Sequence, residues 1–186
     1  MDIEHGSEAA KKFVTNVGLI TSNGPHGHNV MAAEWTYHIS YEPGLVAISL
    51  RPSRTTHENI VKTKEFGVNI CADNQNVLSS VAGGASGRDT DKIEVLKKIG
   101  AEFYKAKKIN AMMVKGAAAN IECKLVKKIK TGDHTLLIGE AVDISVSEEK
   151  PIVYSSGKYW KFGEQIQKPS QNELDNINAL IEKHKR

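Results

Sequence analysis

From Gly116 to Val146 the sequence runs GAAANIECKLVKKIKTGDHTLLIGEAVDISV, and nearly all of it fits an extended chain. Only Thr131-Gly132-Asp133 interrupts it, with the residue types of a tight turn. The segment therefore predicts two long strands folded back on each other as a hairpin. Lys124, Lys127, Lys128 and Lys130 recur along the first of them, which suits an exposed face or a strand edge guarded by charge.

Shorter strands are expected around this hairpin. VGLITS (17–22) ends at Asn23-Gly24 and Pro25-His26-Gly27, which read as a turn. The next strand carries Met31, Ala33 and Trp35 on one side and Glu34 and Thr36 on the other. After the connection Tyr41-Glu42-Pro43-Gly44, LVAISL (45–50) is apolar enough for an interior strand, and FGVNIC (66–71) is another. Helices are expected at 7–14 with Ser7 as cap, at 57–64, and at 74–83 between Asn74 and the pair Gly83-Gly84. Two more follow, at 92–99 behind Asp91 and at 170–184 behind Ser170, the last with Leu174, Ile177, Leu180 and Ile181 on one face. IVYSSGKYWKFGE supplies a short aromatic strand or turn. The expected class is mainly β: a Greek-key barrel with inserted helices and a C-terminal helix, in one domain spanning 1–186.

Composition removes several functions. Lys+Arg number 25 against 22 Asp+Glu, a net charge of +3, which is too even to argue for nucleic acid. The two cysteines, Cys71 and Cys123, have no C-x-x-C partner, so neither metal nor dithiol chemistry is expected and a reducing cytoplasm suits them. No H-x-x-x-H or H-E-x-x-H pairing marks a metal site, and no G-x-G-x-x-G marks a dinucleotide fold. The opening MDIEHGSEAAKK has no signal-like apolar core, and no apolar run reaches membrane-span length. The expectation is a soluble protein with neither nucleic-acid nor membrane partners.

One loop carries binding chemistry. Arg51, Ser53, Arg54, Thr55 and Thr56 precede a helix, and guanidinium, hydroxyl and backbone N–H donors in that setting hold a phosphate. A solvated loop with a threonine cap fits the same residues. Ala32 and Ala33 suit either a flat ring lying on the strand or simple close packing. Ser86, Gly87 and Arg88 sit in a Gly-rich loop that reads as a further contact or as mobile surface.

These pieces occur together in a known order. N-x-M-x-x-x-W-T at 29–36, TTHENI at 55–60, KEFGVN at 64–69, SGRDTDK at 86–92, GDHTLLIGEAV at 132–142 and GKYWKFG at 157–163 resemble the flavin reductase-like proteins of the FMN-binding split-barrel group. The resemblance implies a split barrel, a homodimer with flavin near the subunit interface, and FMN as cofactor with NADH or NADPH as transient hydride donor to flavin N5. It places the phosphate on Arg51, Ser53, Arg54, Thr55 and Thr56. It places the ring against Ala33, Glu34, Trp35 and Thr36, faced by Ser49 and Leu50, with further contacts from Ser86, Gly87 and Arg88. His134 falls in the family's Gly-Asp-His strand start beside the ring, where it takes part in turnover or serves as a structural hydrogen-bonding residue. Glu34 departs from the small or polar residue usual there. The implied activity is an NAD(P)H-dependent flavin or ferric reductase, acting on a small-molecule or protein electron acceptor. A flavoredoxin-like electron carrier without its own NAD(P)H activity, and a flavin-storage protein, are the alternatives.

Overall fold

A computed structural model of the chain describes residues 2–185. Its strands, in chain order, are β1 (Gly18–Ser22), β2 (Asn29–Ala33), β3 (Thr36–Ser40), β4 (Leu45–Leu50), β5 (Glu65–Ile70), β6 (Phe103–Lys105), β7 (Met112–Val114), β8 (Ala119–Thr131), β9 (His134–Val146), β10 (Val153–Ser155) and β11 (Lys158–Trp160). The helices are α1 (Thr55–Thr63), α2 (Asn76–Gly84), α3 (Lys92–Lys98) and α4 (Gln171–Lys183). Seven strands form one antiparallel sheet in the order β2-β1-β5-β8-β9-β4-β3, and β6-β7 and β10-β11 are separate hairpins. Among the described residues the protein is mainly β, with four α-helices.

The sheet's two outer strands, β2 and β3, are separated in the chain only by Glu34 and Trp35. Two residues cannot span a flat seven-stranded sheet, so it curls until its edges meet. Strand alternation then sends one set of side chains inward: Ile20, Ile48, Leu50, Phe66, Val68 and Leu137 pack together, all 1% exposed or less. The opposite set, including Leu19, Val30 and Ala32, packs outward under α2, α3 and the β10-β11 hairpin.

The expected long hairpin is β8-β9, turning at Gly132-Asp133. β5 pairs with β8 only over Ala119–Lys124, so the lysines from Lys127 onward lie where β8 has a free edge. The charge pattern thus protects an edge, as its spacing suggests.

Elsewhere the boundaries differ. The strand expected through Thr36 breaks at Glu34-Trp35, because the chain leaves one sheet edge there and enters the other; Trp35 therefore does not share a face with Met31 and Ala33. The helix expected at 7–14 is one 3-10 turn at Ala10–Lys12, which buries nothing. Ser7 still accepts from the Ala10 N–H, at 3.2 Å. α2 starts at Asn76 behind Gln75, without a side-chain cap from Asn74. The β6-β7 hairpin, read as no element from sequence, is too short to show an alternation. α4 forms with a full capping box between Ser170 and Glu173, yet every one of its residues is exposed. Its apolar face is not buried on this chain. Both cysteines are buried and unpaired, Cys123 in β8 and Cys71 one residue past β5, and burial pushes each thiol up to about 12.

Candidate functional site

α1 begins where β4 ends, and its N-cap is Arg54, in extended geometry and with no side-chain cap hydrogen bond. Thr55 and Thr56 are already inside the helix, so the threonine-cap reading fails. The first-turn N–H groups are left without a side-chain acceptor, which is the arrangement that receives an anion. Arg51, Ser53 and Arg54 stand exposed around them, while Thr55 and Thr56 are buried. The Thr56 hydroxyl accepts from Asn29 Nδ2 at 2.8 Å and so ties α1 to β2.

The Gly-rich loop closes on this helix start. A Cβ at Gly87 would lie 2.5 Å from Asn29 Oδ1 and 2.8 Å from Thr55 Oγ1, so only glycine lets the loop approach this closely. Ser86 folds the loop, its hydroxyl accepting from the Arg88 N–H at 3.2 Å. Arg88 reaches the Glu58 carboxylate and, at 3.5 Å, the Ser53 carbonyl. The other Glu58 oxygen lies 2.6 Å from His26 Nε2. That hydrogen bond first, and the Arg88 charge after it, hold Glu58 below the usual carboxylate range. The candidate residues on either side, 51–56 and 86–88, are therefore brought together.

Lys92 completes the cluster, and sequence reasoning missed it. It is 3% exposed and its Nζ donates to the Ala82 carbonyl at 3.0 Å. Burial, and then the neighbouring Arg54 charge, push its pKa down to about 8. The available signal was position: Lys92 and Leu96 are four apart, on the helix face that Ile93 also buries. Because the folded-state pKa lies below the ordinary 10.5, the unfolded chain binds the extra proton between these values. This lysine's contribution to stability should then rise with pH from about 8 upward. Urea titrations of the wild type and Lys92→Met across that range check it: their stability difference should shrink as pH rises.

On the ring side the structure divides the expected wall. Ala33 and Leu50 point into the barrel-like interior, 4% and 1% exposed. Thr36 is buried and donates its hydroxyl to the Ala33 carbonyl at 3.1 Å. These three have no side chain to offer a ligand, only backbone. Trp35 and Ser49 remain outside the core, joined by a 3.0 Å bond from the Ser49 N–H to the Trp35 carbonyl. The Trp35 ring packs on His134, with centroids 4.7 Å apart at 47°. His134 Nδ1 lies 2.7 Å from Asp133 Oδ1, and Arg51 reaches the other Asp133 oxygen at 3.4 Å. Asp133 is held below its ordinary value, first by the His134 hydrogen bond and, more weakly, by Arg51. Arg51, Asp133, His134 and Trp35 thus join the phosphate-type loop to an aromatic wall. Among the described residues no cluster of three or more His, Cys, Asp or Glu side chains is arranged to hold a metal ion. No helix among them is long and apolar enough to cross a membrane.

The structure thus places an uncapped helix start and an exposed aromatic wall side by side on a curled antiparallel sheet. The chain belongs to the flavin reductase like domain family, whose model matches residues 10–163. An uncharacterized protein of Archaeoglobus fulgidus is 35% identical over 119 residues, covering 63% of this chain and 64% of that one, less than two thirds of its length. The FMN reductase (NADH) SmoA of Agrobacterium fabrum is 24% identical over 153 residues, 82% of each chain. The solved structure of flavin reductase PheA2 in its native state superposes with a TM-score of 0.73 at 31% identity, covering 88% of this chain and 100% of that one.

Proposed function

We propose that this protein is an FMN-dependent NAD(P)H:flavin oxidoreductase. Residues 1–186 would form a single split-barrel domain that works as a homodimer in the cytoplasm, where the two buried thiols stay reduced. One observation carries the reading. The start of α1 has no side-chain cap, the Gly-rich loop closes on Thr55 beside it, and the Arg54 charge there is felt by the buried Lys92, so donors and positive charge gather where a phosphate dianion would be received. The donor set fits FMN: Arg51, Ser53, Arg54, Lys92 and the N–H groups of α1 for the phosphate, and Trp35, Ser49 and His134 for the ring. Bound FMN supplies hydride acceptance at N5 from NADH or NADPH, chemistry that requires stacking and no protein acid or base. Glu58 holds Arg88 and His26 so that both loops keep their place around the phosphate donors. Asp133 fixes the His134 ring beside Trp35 and leaves Nε2 without a partner among the described residues, able to meet an amide or ring edge.

The deciding experiment adds NADH and NADPH anaerobically to the flavin-loaded protein. Bleaching of the yellow colour is expected; a protein that stays oxidised is the flavoredoxin-like carrier instead. His134→Ala should keep its FMN and bleach ~10-fold or more slowly, in the range of lost positioning or proton-handling groups. Bleaching at the wild-type rate makes His134 structural.

The dimer rests on the outer face of β9, where Val142, Ile144 and Val146 are 36%, 61% and 78% exposed. A continuous apolar strand face in water marks an interaction surface. Light scattering should give about twice the 20.4 kDa chain mass at micromolar concentration, and a monomer mass there removes the dimer.

A further inference from the structure

Away from the phosphate loop, a cavity of about 290 Å³ opens between β2, α2 and the β10-β11 hairpin. Its floor is small: Gly83 of α2 lies close enough to Ala32 that an added Cβ would sit 3.4 Å from the alanine methyl. Tyr154 and Tyr159 form one wall, their rings 5.5 Å apart and tilted by 54°. The Tyr159 hydroxyl is anchored, donating to Ser79 Oγ at 3.0 Å and lying 3.3 Å from Ser80 Oγ. Its ring cannot swing away without breaking those bonds.

Glu34 faces the same cavity. The break between β2 and β3 turns its side chain opposite to Ala33, away from the interior and towards the two tyrosines. It is half-buried, yet among the described residues its carboxylate has no hydrogen-bond or ion-pair partner. The Tyr154 hydroxyl likewise has none. Burial, and after it the Glu34 charge, raise the Tyr154 pKa, so the two groups sense each other electrostatically. The Glu34 carboxylate is therefore available to pair with a positive charge that enters the cavity.

We propose that Glu34, Tyr154 and Tyr159 form a binding site for a small organic cation, distinct from the phosphate loop. The carboxylate provides the ionic contact, the two ring faces attract a cation through their quadrupoles, and the free phenol oxygen accepts one more hydrogen bond. An anion meets only repulsion there. The volume lies at the bottom of the range for ligand cavities, ~300 Å³, and admits a one-ring molecule rather than a dinucleotide. None of its side chains belongs to the phosphate cluster, and the test reads binding of a cation rather than of flavin, although Glu34 is also a residue that the family resemblance sets beside the ring.

Three probes of one size test it by calorimetric titration of the full-length protein: benzylammonium, benzyl alcohol and benzoate. Benzylammonium should bind ~10-fold or more tightly than benzyl alcohol, the minimum for a partly desolvated charge pair, and benzoate should not bind. Glu34→Gln should abolish the preference for the cation while leaving benzyl alcohol unchanged. Tyr154→Leu, which removes a ring face and a hydroxyl but no charge, should weaken benzylammonium several-fold and keep the preference. Thermal unfolding of each variant verifies that it is folded. Equal affinities for the three probes, no heat from benzylammonium at millimolar concentration, or an unchanged preference in Glu34→Gln each overturns the assignment.

Discussion

FMN should bind this protein at least ~100-fold more tightly than riboflavin, and Lys92→Met should erase most of that margin while leaving riboflavin untouched. A hydrogen bond to a charged group contributes roughly 1.5–3 kcal/mol. Two or three such bonds to the phosphate give the factor of ~100, since ~1.4 kcal/mol is tenfold. Lys92 is the sharper probe than the threonines, because Thr56 also holds Asn29 and its removal mixes stability with affinity. Lys92→Met does the opposite to each quantity. It removes a buried charge whose pKa is pushed down to about 8, so below that pH the flavin-free protein should become more stable, not less. Its FMN affinity should fall at the same time. Arg54→Ala should lower the FMN preference too, and should let the Lys92 pKa rise by removing the repelling guanidinium. In the wild type, FMN affinity should decline above about pH 8, where the free protein must take up a proton at Lys92 before it holds the dianion. Fluorescence-quenching titrations with both flavins measure all of this. Equal affinity for FMN and riboflavin in the wild type would remove the phosphate site.

The long hairpin and α3 with its Asp91 cap were legible because each rests on local chemistry. Asp91 accepts from the Glu94 N–H at 3.0 Å, as a capping residue three positions upstream must. The break at Glu34-Trp35 was not legible, because nothing local forbids a strand there. It exists because the two sheet edges must meet, a demand set by all seven strands. The same event parted the side chains of the expected wall: Ala33 and Leu50 turn to the interior, and Glu34 lines a cavity with Tyr154 and Tyr159. Lys92 was hidden for another reason. A lysine on the first turn of a helix reads as solvated, and only the packing of α3 on α2, which sets Nζ on the Ala82 carbonyl, shows otherwise. The family resemblance supplied the flavin chemistry, which periodicity alone does not contain.

Interior packing gives the largest expected loss of stability, at the contact that holds β5 against β9. Phe66 is fully buried, and a Cβ at Gly139 would lie 2.4 Å from its Cζ and 2.7 Å from its Cε1. Gly139 pairs with Val46 of β4 on one side and Leu125 of β8 on the other, so the strand cannot shift outward without breaking both ladders. Phe66→Ala should therefore cost ~3–5 kcal/mol, the range for deleting a buried phenyl ring that its neighbours cannot replace. Gly139→Ala should cost ~1–3 kcal/mol by the reverse mechanism, overpacking against the ring edge. The two should not add. In the Phe66→Ala background the alanine methyl enters the space the ring has left, and its remaining close neighbour is the Cys123 Cβ at 2.8 Å. Its cost should fall by ~1 kcal/mol or more, within the range of coupling between residues in contact. Urea unfolding of the wild type, both single variants and the double variant measures that coupling. Additive effects would mean that the ring and the glycine do not share this space. Flavin binding follows the same logic, because β4 carries the chain into Arg51 and α1: a loosened β4-β9 pairing should weaken FMN and riboflavin alike, in contrast to the selective loss expected at Lys92.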